Sequence, residues 1–387
     1  MRTNSANMNI TIAPDSFKEC LSAKDVAANI SIGLRKVMPN AIITEIPISD
    51  GGEGILDVLL ASVGGRSVTV KVSDPMLRKI DAQYGILNDT KTAIVEMAKA
   101  SGLELLREDE RNLMVASTYG TGQLIKDALD KGCNKIIIGI GGSATNDGGM
   151  GMARALGAKF LDGDGRNIPE GGGGLNQLNH IDLSGFDNRI KAVEVVVACD
   201  VSNPLTGPNG ASFVYGAQKG GKEGDLELLD KNLAHYAAII KTDLKIDIAN
   251  VPGAGAAGGS GAALMGLMGG KLMNGIDLIL DTLDIEESVK GADLVITGEG
   301  RIDSQTLHGK TISGIARLAK KHGVPVIAIC GKLGGGIDGL YDLGVTSVHS
   351  ITNRPMDLRE AIDNAPFLIQ QCVGNVMRIT KQFKINQ

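Results

Sequence analysis

The chain has 387 residues, of which 43% are hydrophobic and 3% are aromatic, and it contains no tryptophan. This length favours two domains, and the composition gives them aliphatic cores. A net charge of −5 argues against a surface for nucleic acid or for an anionic membrane. No window approaches 18 uninterrupted apolar residues, and the five cysteines form no C-x-x-C pair. We therefore expect a cytoplasmic protein with reduced thiols and with no nucleic-acid or membrane partner.

The hydrophobic pattern alternates between the strand and helix periods along most of the chain. It predicts strands at 9–15, 41–48, 67–75, 81–89, 92–98, 135–142, 193–201, 292–298, 324–331 and 346–352. It predicts helices at 23–38, 53–63, 120–131, 148–157, 226–244, 310–322 and 358–383. The runs at 67–75 and 81–89 are joined by a short link, so we expect them to pair antiparallel. The polar stretches 160–190 and 202–225 predict irregular loops.

Both ends of the chain show plain alternation of strand and helix, whereas the middle is mixed. We therefore predict the α/β class, with two α/β domains of which one is discontinuous. The discontinuous domain takes residues 1–75 plus 285–387 from the two termini, and residues 76–284 form an inserted α/β domain.

Glycine makes up 53 of the 387 residues, about twice its usual share of roughly 7%. It is concentrated in four blocks that also carry acids or polar residues: DGGEG at 50–54, GIGGSATNDGG at 139–149, GAGAAGGSG at 253–261 and TGEGRID at 297–303. Glycine turns let backbone N–H groups approach an anion, and a following helix adds its N-terminal partial charge. Acids beside such turns suit a divalent cation, so the pattern indicates phosphate chemistry.

Charged side chains follow the first two predicted strands. PDSFKE places Asp15, Ser16 and Lys18 after the first strand, and DGGEG places Asp50 and Glu53 after the second. Open α/β sheets bind ligands at the carboxyl ends of their strands, so these side chains form one candidate site. A simpler interpretation is that Asp15 or Ser16 only caps a turn.

The block GGSATNDGG at 141–149 places four polar side chains between glycines: Ser143, Thr145, Asn146 and Asp147. A loop that only caps a helix would need one such residue. Hydroxyl, amide and carboxylate groups together on a backbone able to wrap an anion favour a binding site.

Two further buried strands end in charged residues. Asp200 closes VEVVVACDV, where its carboxylate either binds a cation or pairs with a lysine or arginine. TGEGRID places Glu299, Arg301 and Asp303 after the strand at 292–298. The mixed charges could form a surface salt bridge, but their location favours the site.

Two short motifs resemble nucleotide-binding fingerprints but fit them poorly. Residues 139–144 match G-x-G-x-x-A, yet the acid expected about 20 residues later would be Asp162 or Asp164, in a glycine-rich loop. Residues 304–311 resemble a P-loop without its first glycine, and GEGRID separates them from the preceding strand. Lys310 could still meet a phosphate at the N-terminus of the following helix.

Taken together and in this order, the blocks resemble the bacterial glycerate kinase family of the type that yields 2-phosphoglycerate. The matching stretches are IAPDSFKE, SDGGEG, IGIGGSATNDGGMGM, ACDVSNPLTGPNGAS, AQKG, VPGAGAAGG and LVITGEGRIDSQTLHGK. They cover nearly the whole chain, although the similarity weakens after about residue 335 and a polar extension precedes Met8. The resemblance implies ATP-dependent phosphorylation of D-glycerate with Mg²⁺, in the breakdown of glyoxylate and sugar diacids. It also implies two α/β domains with an active-site cleft between them.

Phosphoryl transfer needs in-line placement, charge neutralisation and a carboxylate that accepts the alcohol proton. The candidates for binding ATP are Gly141, Gly142, Ser143, Thr145, Asn146, Gly255, Gly258, Glu299 and Lys310. The candidates for holding Mg²⁺ or acting as the base are Asp147, Asp200 and Asp303. The candidates for holding the glycerate carboxylate or the transferred group are Lys18 and Arg301. The candidates for binding substrate hydroxyls or acting as the base are Asp15 and Asp50.

Two other functions stay open. One is a non-catalytic effector-binding protein of the same fold, which the presence of every acid and cation in the blocks disfavours. The other is an NAD-dependent oxidoreductase of a small hydroxy acid. The residues also leave open a homodimer, the choice of the base and the choice of the phosphorylated hydroxyl.

Overall fold

The computed structural model describes residues 8–48, 54–307 and 310–384. Its strands are β1 (Asn9–Ile12), β2 (Ile42–Glu45), β3 (Gly65–Ser73), β4 (Lys79–Leu87), β5 (Thr92–Glu96), β6 (Lys135–Gly139), β7 (Lys159–Leu161), β8 (His180–Asp182), β9 (Glu194–Ala198), β10 (Lys271–Met273), β11 (Leu294–Ile302), β12 (Val326–Leu333) and β13 (Val345–Ser350).

Its helices are α1 (Ala23–Arg35), α2 (Ile55–Val63), α3 (Ala98–Ser101), α4 (Tyr119–Asp130), α5 (Met150–Ala155), α6 (Ala211–Tyr215), α7 (Glu223–Leu244), α8 (Ala256–Met268), α9 (Gly275–Thr282), α10 (Ile285–Lys290), α11 (Thr311–Lys321), α12 (Asp338–Leu343), α13 (Leu358–Asp363) and α14 (Ala365–Lys384). Strands and helices alternate along most of the chain, which confirms the predicted α/β class. Within the described residues, no helix has the length and apolar character needed to cross a membrane.

The first of two compact units joins Met1–Asp50 to Ile276–Gln387. In the described residues its sheet has five parallel strands, in the order β13-β12-β11-β1-β2. One apolar core holds Ile30 of α1 and Ile369 of α14, and a second core holds Ile312 of α11 and Leu340 of α12. Strand residues contribute to both cores, so helices cover both faces, as is usual for a parallel sheet.

The strand order of this unit reverses beside β1. From β1 the chain moves outward to β2 on one side, and it later returns at β11 on the other side and continues to β12 and β13. Open α/β sheets bind ligands at such a reversal, outside the carboxyl ends of the strands. The loops after β1 and β11 therefore occupy the position where this unit would bind a ligand.

The second unit is Gly51–Gly275, and its main sheet has the order β10-β9-β6-β5-β4-β3. The four strands from β10 to β5 are parallel, whereas β4 and β3 continue the sheet antiparallel. The core of this unit includes Leu124 of α4, Met150 of α5, Tyr236 of α7 and Leu264 of α8. Because β6 and β9 are parallel neighbours, the glycine block after β6 and the acid after β9 lie at one edge of the sheet.

The division into units differs from the predicted domain boundaries. The chain divides after residue 50 and after residue 275, whereas the sequence placed the boundaries at 75 and 285. Strand β3 pairs antiparallel with β4 along its whole length, from Gly65 opposite Leu87 to Ser73 opposite Lys79. These hydrogen bonds place β3 in the sheet of the second unit. A boundary at 75 would have cut the hairpin that the sequence pattern itself predicted.

Three segments predicted from local pattern also differ in the structure. The stretch 160–190, predicted to be irregular, contains β8, which pairs antiparallel with β7. The predicted loop at 202–225 contains the short helix α6. The single helix predicted at 358–383 is two helices, separated at Asn364 where φ is −101° and ψ is 3°. The strands β7 and β8 and the helices α6 and α13 have only three to six residues, too few to show a clear period.

Candidate functional site

In the first unit, the loop after β1 lies against the carboxyl end of β11. The backbone N–H of Asp15 donates to Gly298 O over 2.8 Å, and Thr297 Oγ1 donates to Ala13 O over 2.8 Å. These bonds continue the β1–β11 pairing beyond the end of β1. They place Asp15 beside the glycine-rich stretch of β11.

Asp15 also connects this loop to α11. Its carboxylate accepts hydrogen bonds from Thr311 Oγ1 at 2.8 Å and from the backbone N–H of Ser16 at 2.6 Å. Thr311 is the first residue of α11, and Lys310 occupies the N-cap position. A helix N-terminus attracts anions through its unpaired N–H groups and its dipole. Lys310 and this helix end are therefore suited to an anionic ligand.

The charged residues of TGEGRID differ in their exposure. Glu299 is buried and accepts a hydrogen bond from Thr306 Oγ1. The Arg301 side chain is 63% exposed, and its Nε lies 2.7 Å from Oδ2 of Asp303, which is 12% exposed. The guanidinium therefore already balances the Asp303 carboxylate, which makes Asp303 a weaker candidate for binding a metal.

Lys18 differs from Arg301 because it forms no ion pair with any described residue. It is exposed, and a Cβ added at Gly300 would lie 3.4 Å from its backbone nitrogen. Lys18 therefore stands beside the end of β11. Asp50 and Glu53, which the sequence assigned to the same site, lie outside the described residues.

In the second unit, Asp147 organises the glycine block after β6. Its Oδ2 accepts from the backbone N–H and from Oγ1 of Thr118 at 2.8 Å each, and from the N–H of Gly151 at 3.1 Å. Its Oδ1 accepts from the N–H of Gly149 at 3.1 Å. Thr118 precedes α4 and Gly149 precedes α5. The carboxylate therefore joins the N-termini of two helices.

This environment bears on the roles predicted for Asp147. Burial raises the pKa of its carboxyl group, and the four donors oppose that shift. A Mg²⁺ ligand or a general base needs an oxygen that the metal or the substrate can reach, yet Asp147 has 0% exposure. We therefore infer that Asp147 shapes the loop and leaves the metal and base roles to other side chains.

The sequence analysis did not single out Lys219, which is 3% exposed. It ends the short 3-10 helix Ala217–Lys219, and its Nζ donates to Ser143 Oγ over 2.7 Å and to Thr145 O over 2.9 Å. Burial lowers the pKa of Lys219 to about 7, and the charge of Asp147 opposes that shift. The sequence signal was weak, namely one lysine beside glycines in a polar loop.

The glycine block at 253–261 is not the open phosphate loop that the sequence predicted. Helix α8 begins here, with left-handed backbone at 257–259. The N–H of Gly148 donates to Gly258 O over 3.0 Å, and a Cβ on Gly258 would lie 1.9 Å from Thr145 O. Gly255 is equally enclosed, since a Cβ there would lie 2.1 Å from a backbone oxygen. These glycines therefore let two loops pack backbone to backbone.

A cavity of about 460 Å³ opens at the carboxyl ends of β6 and β9. Leu103, Ile140 and Val201 form apolar parts of its wall. Its other lining residues include Gly141, Gly142, Ser143, Asp200, Tyr215, Gln218, Lys219, Ala256 and Ala257. An apolar wall beside a lysine and a hydroxyl can accept a ligand that is part aromatic and part anionic.

Within the glycine block after β6, the predicted nucleotide contacts Thr145 and Asn146 do not line this cavity. Thr145 and Asn146 both have 0% exposure, in contrast to Ser143. Asn146 Oδ1 accepts from Ser212 Oγ at 3.1 Å, whereas Asn146 Nδ2 and Thr145 Oγ1 have no hydrogen-bond partner among the described residues. Buried polar atoms are normally paired with protein or with ordered water. A direct side-chain contact with a ligand in the cavity is therefore expected from Ser143 alone in this part of the loop.

Asp200 is the predicted metal ligand that lines the cavity. It is exposed at the end of β9, and its Oδ1 accepts from the N–H of Gly275 at 2.8 Å. The described part of the chain holds no group of three or more His, Cys, Asp or Glu side chains arranged to bind a metal ion. The single carboxylate of Asp200 suits a Mg²⁺ ion that takes one ligand from the protein and its remaining ligands from phosphate and water.

Comparison with known proteins identifies the relatives of this chain. Residues 10–381 match the model of the Glycerate kinase family. The chain is 49% identical over 358 residues to the Glycerate 2-kinase of Escherichia coli K12, covering 92% of this chain and 94% of that protein. It is 48% identical over 367 residues to the Glycerate kinase of Halalkalibacterium halodurans, covering 95% and 97%. A crystal structure from Salmonella typhimurium LT2, provisionally assigned to glycerate kinase 2, has a TM-score of 0.89 and 46% identity over 98% of this chain and 99% of that one.

Proposed function

We propose, because the chain belongs to the glycerate kinase family, that it transfers the γ-phosphoryl group of ATP to D-glycerate with Mg²⁺ as cofactor. The 2-hydroxyl group is the acceptor that the name of the Escherichia coli relative supports. The observation that carries the proposal is the cavity at the ends of β6 and β9. The resemblance to the family further suggests a place in the breakdown of glyoxylate and sugar diacids, and a homodimer stays a prediction.

We assign ATP to this cavity of the second unit. Its apolar wall, with Leu103 and Val201, suits a purine base, and the glycines and Ser143 after β6 suit phosphate oxygens. Gly142 has a φ of 68°, a left-handed conformation that favours glycine. Backbone N–H groups in such turns form concave anion sites. The nucleotide contacts then come from Gly141, Gly142 and Ser143, while Gly255 and Gly258 support them from behind.

Mg²⁺ would enter this site with the nucleotide. Asp200 would supply the carboxylate, because it lines the cavity while Asp147 is enclosed and Asp303 is paired with Arg301. When bound, the ion would neutralise charge on the phosphates. The protein's own part is to hold the Asp200 carboxylate at the end of β9, which the hydrogen bond from Gly275 helps to fix.

We assign D-glycerate to the strand reversal of the first unit. The carboxylate of glycerate is its only charged group, so a cation must hold it. Lys18 is exposed and forms no ion pair with a described residue, whereas Arg301 is already paired with Asp303. Lys18 is therefore the stronger candidate anchor. Asp15, whose carboxylate is fixed by Thr311, is a candidate to accept the hydroxyl proton.

The structure gives an observation against NAD chemistry. A dinucleotide-binding fold uses an acid at the end of the strand that follows the glycine turn, where the carboxylate meets the ribose. Asp162 instead accepts from the backbone N–H groups of Asp164 and Arg166 at 2.9 Å each, which closes a turn beside β7. That turn adjoins the separate β7–β8 pair and not the main sheet. A kinase therefore fits the second unit better than a dehydrogenase.

Steady-state turnover tests the proposal directly. Purified protein with ATP, Mg²⁺ and D-glycerate should release ADP, and the release should stop when glycerate is omitted or when EDTA is added. Coupling the product to enolase identifies 2-phosphoglycerate, because the 3-isomer is not dehydrated. ADP release that does not depend on glycerate, or reduction of NAD with glycerate, would contradict the proposal. Binding of glycerate and ATP without turnover would support the effector-binding alternative.

A further inference from the structure

Lys219 carries a positive charge into the interior of the second unit. The side chain is 3% exposed and reaches the glycine block after β6 from its short 3-10 helix. Removing an ammonium group from water is unfavourable unless the charge is paired and its N–H groups are hydrogen-bonded. Its position therefore calls for a compensating partner.

The hydrogen-bond partners that the fold itself supplies are neutral, and the charge of Asp147 offsets only part of the effect of burial. Nζ donates to Ser143 Oγ over 2.7 Å and to Thr145 O over 2.9 Å. No carboxylate in the described part of the chain forms an ion pair with it. An ammonium group has three N–H donors, so one donor remains after these two bonds. Lys219 and Ser143 both line the cavity, which makes this donor and the charge available to a ligand there.

We propose that Lys219 is the phosphate-binding cation of the cavity and that it holds a phosphate oxygen of the bound nucleotide together with the Ser143 hydroxyl. A phosphate would balance the buried charge, and charge-assisted hydrogen bonds of this kind are the strong ones. Ser143 Oγ accepts from Lys219, so its own O–H is free to donate to the same phosphate. The identity of the ligand as a nucleotide rests on the proposed function, whereas the need for an anion rests on the contacts of Lys219.

The titration of Lys219 gives the proposal a pH signature. Burial lowers its pKa to about 7, and a phosphate binds the protonated form. The affinity should therefore fall as pH rises above this value. The second ionisation of a phosphate lies near pH 6, so a rising pH adds negative charge to the ligand and acts in the opposite sense. A loss of affinity above about pH 7 would therefore come from the protein.

The titration of other ionisable groups near Lys219 must be distinguished from the titration of Lys219 itself. They are Asp147 behind the loop, Asp200, Cys199 and Tyr215 in the cavity wall, and Arg111, which donates to Gln218 O. Burial raises the pKa of Cys199 and of Tyr215, so both stay neutral near pH 7. Burial also raises the pKa of Asp147, so its ionisation is a rival source of pH dependence. A Lys219→Arg variant separates the two because arginine stays charged.

Calorimetric titration with ADP and with adenosine tests the proposal. Lys219→Met should weaken ADP binding by about 10- to 100-fold, the range of one charge-assisted hydrogen bond. Adenosine binding should not change, because adenosine has no phosphate. Lys231→Met is the matched control, since Lys231 is an exposed lysine on α7 of the same unit, and it should bind both ligands as the wild type does.

The pH series provides a second and independent measurement. Wild-type affinity for ADP should fall several-fold between about pH 7 and pH 8.5, up to the limit of roughly tenfold per pH unit for one proton. Lys219→Arg should bind ADP with little dependence on pH over the same range. If Lys219 had only a structural role, its substitution would lower the melting temperature. It would not produce a difference in pH dependence between the wild type and Lys219→Arg.

Four outcomes are decisive. ADP affinity of Lys219→Met within about twofold of the wild type would overturn the proposal, as would a pH dependence that persists in Lys219→Arg. Absence of ADP binding by the wild type would instead overturn the proposed function. If circular dichroism shows that Lys219→Met is unfolded, the wild-type pH series decides alone, and a flat series would overturn the role of Lys219.

Discussion

In the second unit two charged side chains of the site are enclosed, Asp147 at 0% and Lys219 at 3% exposure, whereas Asp200 at the end of β9 is exposed. In the first unit the corresponding groups face solvent, since Lys18 is exposed and Arg301 is 63% exposed. Asp147 lies on the glycine-rich loop after β6, and Lys18 and Arg301 lie at the carboxyl ends of β1 and β11. The same sequence pattern therefore produces a rigid, buried loop in one unit and an open, charged edge in the other.

This difference determines what a substitution should change. Removing one partner of a buried, hydrogen-bonded charge leaves the others unsatisfied, which lowers the free energy of unfolding. Removing an exposed charge changes that free energy little, because water screens the charge and replaces its contacts. We therefore expect substitutions of Asp147 and Gly258, which the buried loops enclose, to act through stability. Substitutions at the open edge should act through substrate kinetics.

The largest effect on stability is expected from Gly258→Ala. Gly258 has a φ of +66°, and an added Cβ would lie 1.9 Å from Thr145 O. The left-handed backbone and the forced separation of two loops together should lower the free energy of unfolding by about 4 kcal/mol. Gly269→Ala is the matched control, because Gly269 also has a φ of +66° but has nothing within 4 Å. The control should lose only about 1 kcal/mol.

Urea denaturation of both variants measures the difference. Equal losses for Gly258→Ala and Gly269→Ala would show that the backbone angle alone matters. The close packing of the two glycine blocks would then contribute nothing to stability.

A somewhat smaller loss is expected from Asp147→Asn. An amide has one acceptor oxygen where the carboxylate has two, and its NH₂ group would face an N–H donor of the loop. We expect the free energy of unfolding to fall by about 3 kcal/mol. Asp81→Asn is the control, because Asp81 is 61% exposed and pairs with Lys71 at 3.6 Å on the surface. The free energy of unfolding of Asp81→Asn should fall by less than about 0.5 kcal/mol.

Kinetics on the folded fraction of Asp147→Asn separates the loop role from the roles that the sequence suggested. If Asp147 bound Mg²⁺ or acted as the base, turnover per folded molecule would fall by about 100-fold or more. Turnover close to the wild type together with a lower melting temperature would support the structural role.

The sequence predicted the alternation of strands and helices and the position of the charged residues at the strand ends. Strands such as β6 and β9 stand out because they are continuously apolar, and the glycine blocks that follow them lie at the strand ends as expected. What a block does with its glycines could not be predicted. GAGAAGGSG has the composition of a phosphate loop, yet Gly258 serves a close backbone contact with a segment more than a hundred residues earlier.

The same limit applies to the site residues. Asp147 and Lys219 lie 72 positions apart, and the fold sets their neighbours: Asp147 accepts from Thr118 and Gly151, and Lys219 donates to Ser143. Composition does not tell whether a carboxylate in a glycine loop points outward to a metal or inward to backbone N–H groups. For this reason Asp147 looked like a ligand and Lys219 went unnoticed. The site residues at the open edge of the first unit were easier to predict, because Asp15 and Lys18 follow the first strand directly.

At the open edge, Lys18→Met should change glycerate binding and leave stability intact. A charge-assisted hydrogen bond to a carboxylate contributes about 1.5–3 kcal/mol, which corresponds to about 10- to 150-fold in affinity. If Lys18 holds the carboxylate equally in the ground and transition states, KM for glycerate should rise by this factor while kcat and the KM for ATP stay unchanged. Lys24→Met, on the exposed face of α1 in the same unit, is the control. A normal KM for glycerate in Lys18→Met would exclude the anchoring role.

The smallest effect on stability is expected from Arg301→Met. Its ion pair with Asp303 spans 2.7 Å, but the arginine is 63% exposed, so the pair should contribute less than about 1 kcal/mol to folding. Its kinetic effect has a different physical origin. A cation that meets the transferred phosphoryl group acts mainly in the transition state, so we expect kcat to fall by about tenfold while the KM for glycerate changes little. Comparing Arg301→Met with Lys18→Met in one kinetic series shows whether the two cations of the edge have separate tasks. If Arg301→Met instead raises the KM for glycerate and leaves kcat unchanged, both cations bind the carboxylate, and Asp303 then competes with the substrate for Arg301.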